Sequence, residues 1–353
     1  MPDYVHVTEP DLVREVLTRT DEFEPTNALT AAVALTPDAL RTLARSGFAL
    51  PPVLASATGE LHRTTRRAVT GFFSPARVEA VVPLIRQLAR AAAEQVAARP
   101  GREVDLGAAV ADHLPARVMA EMMGTPLPDR DDLHRWSRDS LELFWGTPSP
   151  DRQLHLAGSA AAFHTWLRGV LRASIAADGD DLWATVARTG VSERQVCSLA
   201  YFLMIAGQET TSMLTRTVLL RALQDRPTWA GAGADVAAAR EVTRQVLAEE
   251  SSVPTWRRRV GADTTLDGCP LSAGTEVLLE VSGHHRPGDR DGFGLAFGHG
   301  LHRCLGAALA ETEATHILHE TARALPGARW SGAEPAWWRL LSFRTPLTVP
   351  ALI

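Results

Sequence analysis

Residues Ala296 to Gly306 read AFGHGLHRCLG. Three glycines, two histidines, an arginine and a cysteine fall within this short stretch. The pattern that follows, AALAETEATHIL, has helical spacing and stops at Pro326-Gly327. Cys304 therefore sits at or just before a helix N-terminus. Unpaired amides and the positive end of the helix dipole stabilise a thiolate there. Gly298, Gly300 and Gly306 permit a tight turn and close approach of backbone to a ligand.

The other cysteines, Cys197 and Cys269, are far away in the chain. They read as small buried hydrophobes. The odd, scattered set suits neither a disulfide framework nor a zinc or iron–sulfur site. A lone thiolate on a glycine-rich loop instead suits a single axial ligand to haem iron.

With 353 residues the chain can bury a large core, and no Ser/Gly-rich linker divides it. A single domain over 1–353 is expected. The net charge of −5, with no lysine at all, argues against general nucleic-acid binding. Apolar runs such as AYFLMIA are far short of the roughly 20 residues that span a bilayer. The start, MPDYVHVTEP, carries no signal-peptide pattern. A cytoplasmic protein without membrane contact is expected.

Alanine, leucine and arginine at three- and four-residue spacings predict a mainly α protein with a small β portion. TEPDLVREVLTRT reads as a helix capped by threonine, and the helix beginning SPARVEAVV as interrupted near Pro83. YVHV and TEVLLEV alternate as strands, the second after a turn at Ala273-Gly274. The longest helix opens at Ser192, with Gln195 in capping-box spacing, and runs to about Gln224. At 1.5 Å per residue it is roughly 50 Å long and crosses the molecule. Gly207, Gln208, Glu209, Thr210 and Thr211 interrupt its apolar middle. One reading is a kink with a satisfied polar patch. The other is that Ala206-Gly207 admit a large flat group, with Glu209 and Thr210 beside it to deliver a proton.

FGHGLHRCLGAALA resembles the haem-binding signature of the cytochrome P450 superfamily, and AGQETT resembles that family's oxygen-activation motif. HRTTRR, His62 to Arg67, matches its haem-propionate pair, and the likeness to soluble bacterial members runs from about Tyr4 to the C-terminus. The resemblance implies haem b (iron protoporphyrin IX) with Cys304 as proximal thiolate and metal ligand. It implies Phe297 over the sulfur side of the haem, with Gly298 and Gly306 keeping the loop close. It implies that His62, Arg66, Arg258 and His302 hold the propionates. Ala206 and Gly207 would adjoin the cofactor, and Glu209 and Thr210 would pass protons to dioxygen. The implied activity is a monooxygenase of bacterial secondary metabolism acting on a small molecule. The outcome would be hydroxylation, desaturation, ring formation or coupling. Ferredoxin and ferredoxin reductase would donate electrons to a monomer. Arg63, Arg67 and Arg303 form either a solvated face or a docking patch for the acidic donor. The pocket walls are placed around Asn27 to Pro52, on Leu203 and Met204, on Val253 to Trp256, and near Leu340 to Phe343.

Three departures stand out. The slot of the family's Glu-x-x-Arg brace holds QVLA, with Gln245 and Ala248, while a Glu-x-x-Arg occurs four residues earlier at Glu241 and Arg244. The expectation is that no Glu–Arg–Arg triad exists. The segment between HHRPGDRD and GFGLAFGHG is short, implying a shortened meander, and the N-terminus begins near the first sheet, implying a trimmed start. Loss of the brace leaves a second reading open: a non-catalytic or accessory protein that keeps the fold for binding or docking.

Overall fold

A computed structural model describes residues 3–98, 101–284, 293–332 and 334–353. Among these, twelve α-helices form the bulk. They are α1 (Pro10–Thr18), α2 (Pro37–Arg45), α3 (Gly59–Thr70), α4 (Pro75–Ala97), α5 (Leu114–Met123), α6 (Arg130–Trp145), α7 (Pro150–Ala177), α8 (Leu182–Ala187), α9 (Glu193–Gln224), α10 (Arg226–Ala234), α11 (Val236–Glu250) and α12 (Ala307–Ala324). No single helix among the described residues is long and apolar enough to cross a membrane.

The centre of the fold is α9. Its N-terminus carries the full capping box, with Ser192 Oγ accepting from the Gln195 amide and Gln195 Oε1 accepting from the Ser192 amide. Most of its residues are buried, because α5, α6, α7, α10, α11 and α12 all pack around it. Such a helix has no polar face to spare, so its polar side chains must find partners within the protein. Arg216 does so on Asp112, through two contacts of 2.6 Å. The same guanidinium donates to Leu347 O at 2.9 Å, tying the C-terminal half of α9 to the last β segment. Gly107 leaves room for it: a Cβ there would lie 2.5 Å from Arg216 Nη1.

A four-stranded sheet flanks the helices, in the order Tyr4–Val7, Glu276–Glu280, Thr255–Val260, Phe23–Glu24. The first pair is parallel, with Tyr4 opposite Glu276; the other two are antiparallel, with Arg258 opposite Val277. Alternation along Thr255–Val260 sends Trp256 and Arg258 to one face and Arg257 and Arg259 to the other. Arg257 donates to Thr30 O at 2.8 Å and Arg259 is exposed.

Three local expectations need correction, and a fourth lies outside the described residues. α4 is continuous through Pro83, which is exposed on the solvent side, where the carbonyl it leaves unpaired can be hydrated. α1 is entered through Glu9 without a side-chain cap, and Pro10 supplies the preset first turn. Cys197 is buried, but Cys269 is exposed in the two-stranded hairpin it forms with Thr264–Leu266, too small an element to cover its own side chains. The shortened segment before AFGHG falls largely on residues 285–292, outside the described residues.

Candidate active site

One cavity lies between the middle of α9 and the loop before α12. Its empty space, counted out to its open mouth, is about 1780 Å³. Arg66, Ala206, Gly207, Thr210, Arg258, Phe297, Gly298, His302, Cys304 and Gly306 all line it. These residues come from α3, α9, the sheet and the cysteine loop. The sequence therefore brings together ten of the positions it singled out.

The cysteine loop is held by its own backbone. The Cys304 amide donates to Phe297 O at 2.9 Å, and Phe297 packs edge-on against Phe293 with ring centroids 5.1 Å apart. Gly298 and Gly300 have φ of 71° and 66°, in the left-handed region that glycine adopts without strain. At Gly300 the approach is also close: a Cβ would lie 3.2 Å from Leu17 O of α1. Cys304 is accessible from the cavity. Desolvation by the surrounding walls pushes its thiol up, while the Gly306 amide, Arg303 and Arg66 pull the other way. A metal ion at the sulfur would take over that balance, since a coordinated thiol is deprotonated outright.

Beside the loop, four basic side chains face one another. The rings of His62 and His302 are 4.7 Å apart. His302 Nε2 lies 2.8 Å from Ala57 O, and its Nδ1 is buried without a partner. Both ring nitrogens of His62 and the Nε of Arg258 are also buried and unpartnered. Arg66 donates to Arg303 O at 2.9 Å. Burial, then Arg258, His62 and Arg66, hold His302 down to about 4 despite its contact with Ala57 O. Burial likewise lowers Arg258 to about 10. Among the described residues, no carboxylate acts on His62, Arg66, Arg258 or His302. Buried donors left this way cost free energy, about 1–3 kcal/mol each. The arrangement fits a ligand carrying carboxylates at the rim and a metal facing Cys304, which are the attributes of haem. His62 itself does not line the cavity but backs His302 from α3.

Across from the cysteine, α9 presents Ala206, Gly207 and Thr210. A side chain at Gly207 would collide with Met119 of α5, its Cβ lying 2.7 Å from the sulfur. The Thr210 hydroxyl donates to Ala206 O at 2.5 Å, and Ser252 Oγ donates to Thr210 O at 3.1 Å. Gln208 and Glu209 point elsewhere. Gln208 Nε2 donates to Ser137 Oγ, and Glu209 Oε1 lies 3.4 Å from His134 Nδ1, both on α6. Thus Thr210 faces the cavity and Glu209 does not line it. Successive helical residues are about 100° apart, so Ala206, Gly207, Thr210 and Thr211 share the cavity side while Gln208 and Glu209 between them turn toward α6.

The outer wall is aromatic. Trp145, Trp256 and Phe343 line it and pack together, Phe343 standing edge-on to Trp145 at 5.1 Å and to Trp256 at 6.3 Å. Leu29, Leu50, Leu203 and Val253 also line it, as expected, while Met204 and Leu340 do not. Phe144 and Trp145, at the end of α6, and Met119 escaped the sequence reading. A tryptophan ending an amphipathic helix carries no signal that separates core from pocket. Away from the cysteine side the polar groups lining it among the described residues are the hydroxyls of Thr210, Thr211, Ser251, Ser252 and Tyr201 and the indoles of Trp145 and Trp256.

The brace slot is also visible. Glu241 is exposed, and Arg244 bonds Glu311 of α12 at 2.7 Å, so the two do not pair with each other. Gln245 is exposed and Ala248 buried.

No family model matches the sequence. Among curated proteins, the mycinamicin IV hydroxylase/epoxidase of Micromonospora griseorubida is 30% identical, over 82% of this chain and 77% of its own length. Biflaviolin synthase of Streptomyces coelicolor is 28% identical over 85% of this chain and 77% of its own. Among solved structures, the cytochrome P450 CREJ in complex with (4-ethylphenyl) dihydrogen phosphate superposes with a TM-score of 0.91 at 26% identity, covering all of this chain and 93% of that one. By that likeness the chain, with its cavity-facing Cys304, basic rim and threonine-bearing central helix, belongs to the cytochrome P450 family of haem-thiolate oxidoreductases.

Proposed function

We propose that residues 1–353 form one haem domain that holds haem b and oxidises a small, uncharged, largely apolar substrate. The observation that carries this reading is the opposition, across one cavity, of Cys304 and the Ala206-Gly207-Thr210 segment of α9. Cys304 would hold the iron, and Arg66, Arg258 and His302, backed by His62, would hold the propionates. When bound, a thiolate-ligated haem supplies iron-based activation of dioxygen, with the thiolate favouring O–O cleavage.

The chain's own residues do the rest. Phe297, packed edge-on against Phe293, sets an apolar ring beside the cysteine loop. Thr210 holds a hydroxyl at the cavity wall, from which a proton can be placed. Glu209, buried one residue away, stores the acid that recharges it. Trp145, Trp256 and Phe343 supply flat apolar surface to orient a substrate, and edge-to-face contacts favour an aromatic or polycyclic one. Among the described residues, no charged side chain lines the cavity away from the cysteine side to pair with a charged substrate.

Hydroxylation, desaturation, ring formation and coupling all start from the same oxidation, and bacterial secondary metabolism is the setting that the names of the relatives support. Electrons would come from a ferredoxin and its reductase. Arg67, exposed on α3, and Arg63, paired with Glu60 at 2.8 Å, offer basic surface to an acidic donor. The reading is of a cytoplasmic monomer. The test is a difference spectrum of the dithionite-reduced protein with carbon monoxide. The red-shifted Soret band of an axial thiolate is expected; a protein that binds no haem, or whose band lacks that shift, contradicts the reading.

A further inference from the structure

Glu209 is 4 % exposed and points away from the cavity, so its carboxylate must exchange protons with solvent through something. The group beside it is His134 of α6, whose Nδ1 lies 3.4 Å from Glu209 Oε1. The His134 side chain is 30% exposed, while that of Glu209 is 5% exposed. One imidazole thus stands between the buried acid and water. We infer that His134 is the proton port of this site: a positioning residue that holds Glu209 toward α6 and resupplies it with protons from solvent.

The chemistry balances as a chain of single proton transfers. The His134 imidazolium gives its Nδ1 proton to the Glu209 carboxylate, leaving a neutral ring and a carboxylic acid. Glu209 then turns and passes that proton toward the Thr210 hydroxyl, returning to carboxylate. Water recharges the ring after tautomer exchange through its exposed edge. No electron moves in these steps.

The surroundings suit the cationic ring. The Glu209 contact raises its affinity for a proton against the cost of burial, with Asp112 helping and Arg138 opposing. The ring of His113 lies 6.0 Å away; burial, then Arg130 and His134 itself, lower its affinity for a proton, against the pull of Asp112 and Asp131, so of the two rings His134 is the one favoured to carry the charge. Arg216, the nearest permanent cation on α9, is taken up by Asp112. A merely structural histidine would need the pairing but not the exposure. Here the ring has both.

The inference rests on the monooxygenase reading, and the experiment separates the two. Wild-type, His134→Gln and Glu209→Gln proteins are first checked for the thiolate-type reduced carbon monoxide band. Labelled histidine NMR of the diamagnetic reduced carbon monoxide complex then follows the His134 ring with pH. It is expected to titrate above the ordinary 6.5 in wild type and to fall back in Glu209→Gln. NADPH oxidation with a plant-type ferredoxin and its reductase should drop about tenfold in His134→Gln. That is less than the hundredfold or more of a direct general acid, since water can partly substitute. The drop should come with a larger solvent isotope effect and loss of the alkaline fall-off that the port predicts for wild type. A normal band, with NADPH oxidation and isotope effect unchanged in His134→Gln, overturns the port and leaves the enzyme reading standing. A wild-type His134 that titrates at or below 6.5 overturns the port by itself, whether or not the variant holds haem. Absence of the thiolate band from wild type overturns both.

Discussion

If the family's Glu–Arg–Arg brace is absent, the electrostatic tie of this fold lies elsewhere, and the Asp112–Arg216 pair is where it should be measured. The two side chains are 8% and 7% exposed, and two contacts of 2.6 Å join them. Arg216 also donates to Leu347 O, so removing it orphans a carboxylate and a carbonyl together. Breaking such a buried pair from one side costs about 3–5 kcal/mol. Arg216→Leu should therefore lower stability by that amount. Replacing both partners with apolar residues of similar volume should recover much of the loss, because no charge is then left buried. The opposite result is expected at the displaced Glu-x-x-Arg. Glu241 is exposed, and Arg244 is 36% exposed against a Glu311 that Arg240 also approaches at 3.9 Å. Glu241→Gln and Arg244→Leu should each cost no more than a surface pair, below about 1 kcal/mol. The assay is denaturant unfolding of the haem-loaded protein, followed in parallel by far-UV circular dichroism and by the Soret band. The reasoning is refuted if Arg216→Leu costs less than about 1 kcal/mol. It is refuted equally if Glu241→Gln or Arg244→Leu costs about 3 kcal/mol or more and sheds haem on purification.

Three further outcomes are expected. Cys304→Ser should abolish the thiolate-type Soret band of the reduced carbon monoxide complex; a variant that keeps the band removes Cys304 from the iron. Thr210→Ala should leave haem binding intact and divert reducing equivalents to peroxide, read as peroxide formed per NADPH consumed, and an unchanged ratio excludes Thr210 from proton delivery. His164 is buried, its Nδ1 has no partner, and desolvation, followed by Arg168, lowers it below 6.5. The folded state then binds fewer protons than the unfolded chain. Its contribution to stability is complete above about 6.5 and is lost as pH falls below it. His164→Phe should flatten the decline in unfolding midpoint between pH 7 and 5; an equally steep decline in the variant rejects the assignment.

The cysteine loop could be read from sequence because chemistry restricts its residue types: a thiolate, a helix start, and glycines at Gly298 and Gly300 where φ is positive. Arg258 could be separated from Arg257 and Arg259 only by offset in the sequence, and strand alternation now gives the reason, by placing it on the Trp256 face. What sequence could not supply was direction between distant elements. His134 and Glu209 are 75 positions apart, and nothing in DDLHRWS marks that histidine as the neighbour of a buried acid. Cys269 and Pro83 were misread for a related reason, since both outcomes depend on which side faces solvent.

The altered brace slot shows how such dependencies compensate. Ala248 is 3% exposed, and its carbonyl accepts from the Gly283 amide at 2.9 Å. An arginine there would need a carboxylate to meet it, and the residue one turn back, Gln245, is exposed. The end of α11 is secured instead from outside the helix. Arg344 donates to Ser251 O at 3.0 Å, and its own amide donates to Ser252 O at 2.9 Å. Arg221 of α9 grips Glu250 at 2.7 Å and 2.9 Å. Ser252 in turn donates to Thr210 O, so the same anchored turn steadies the wall of the cavity where the proton is placed. Half-buried arginines around the end of α11, rather than a charge buried inside it, keep α11 fixed to α9, an arrangement that avoids the desolvation cost of a buried ion.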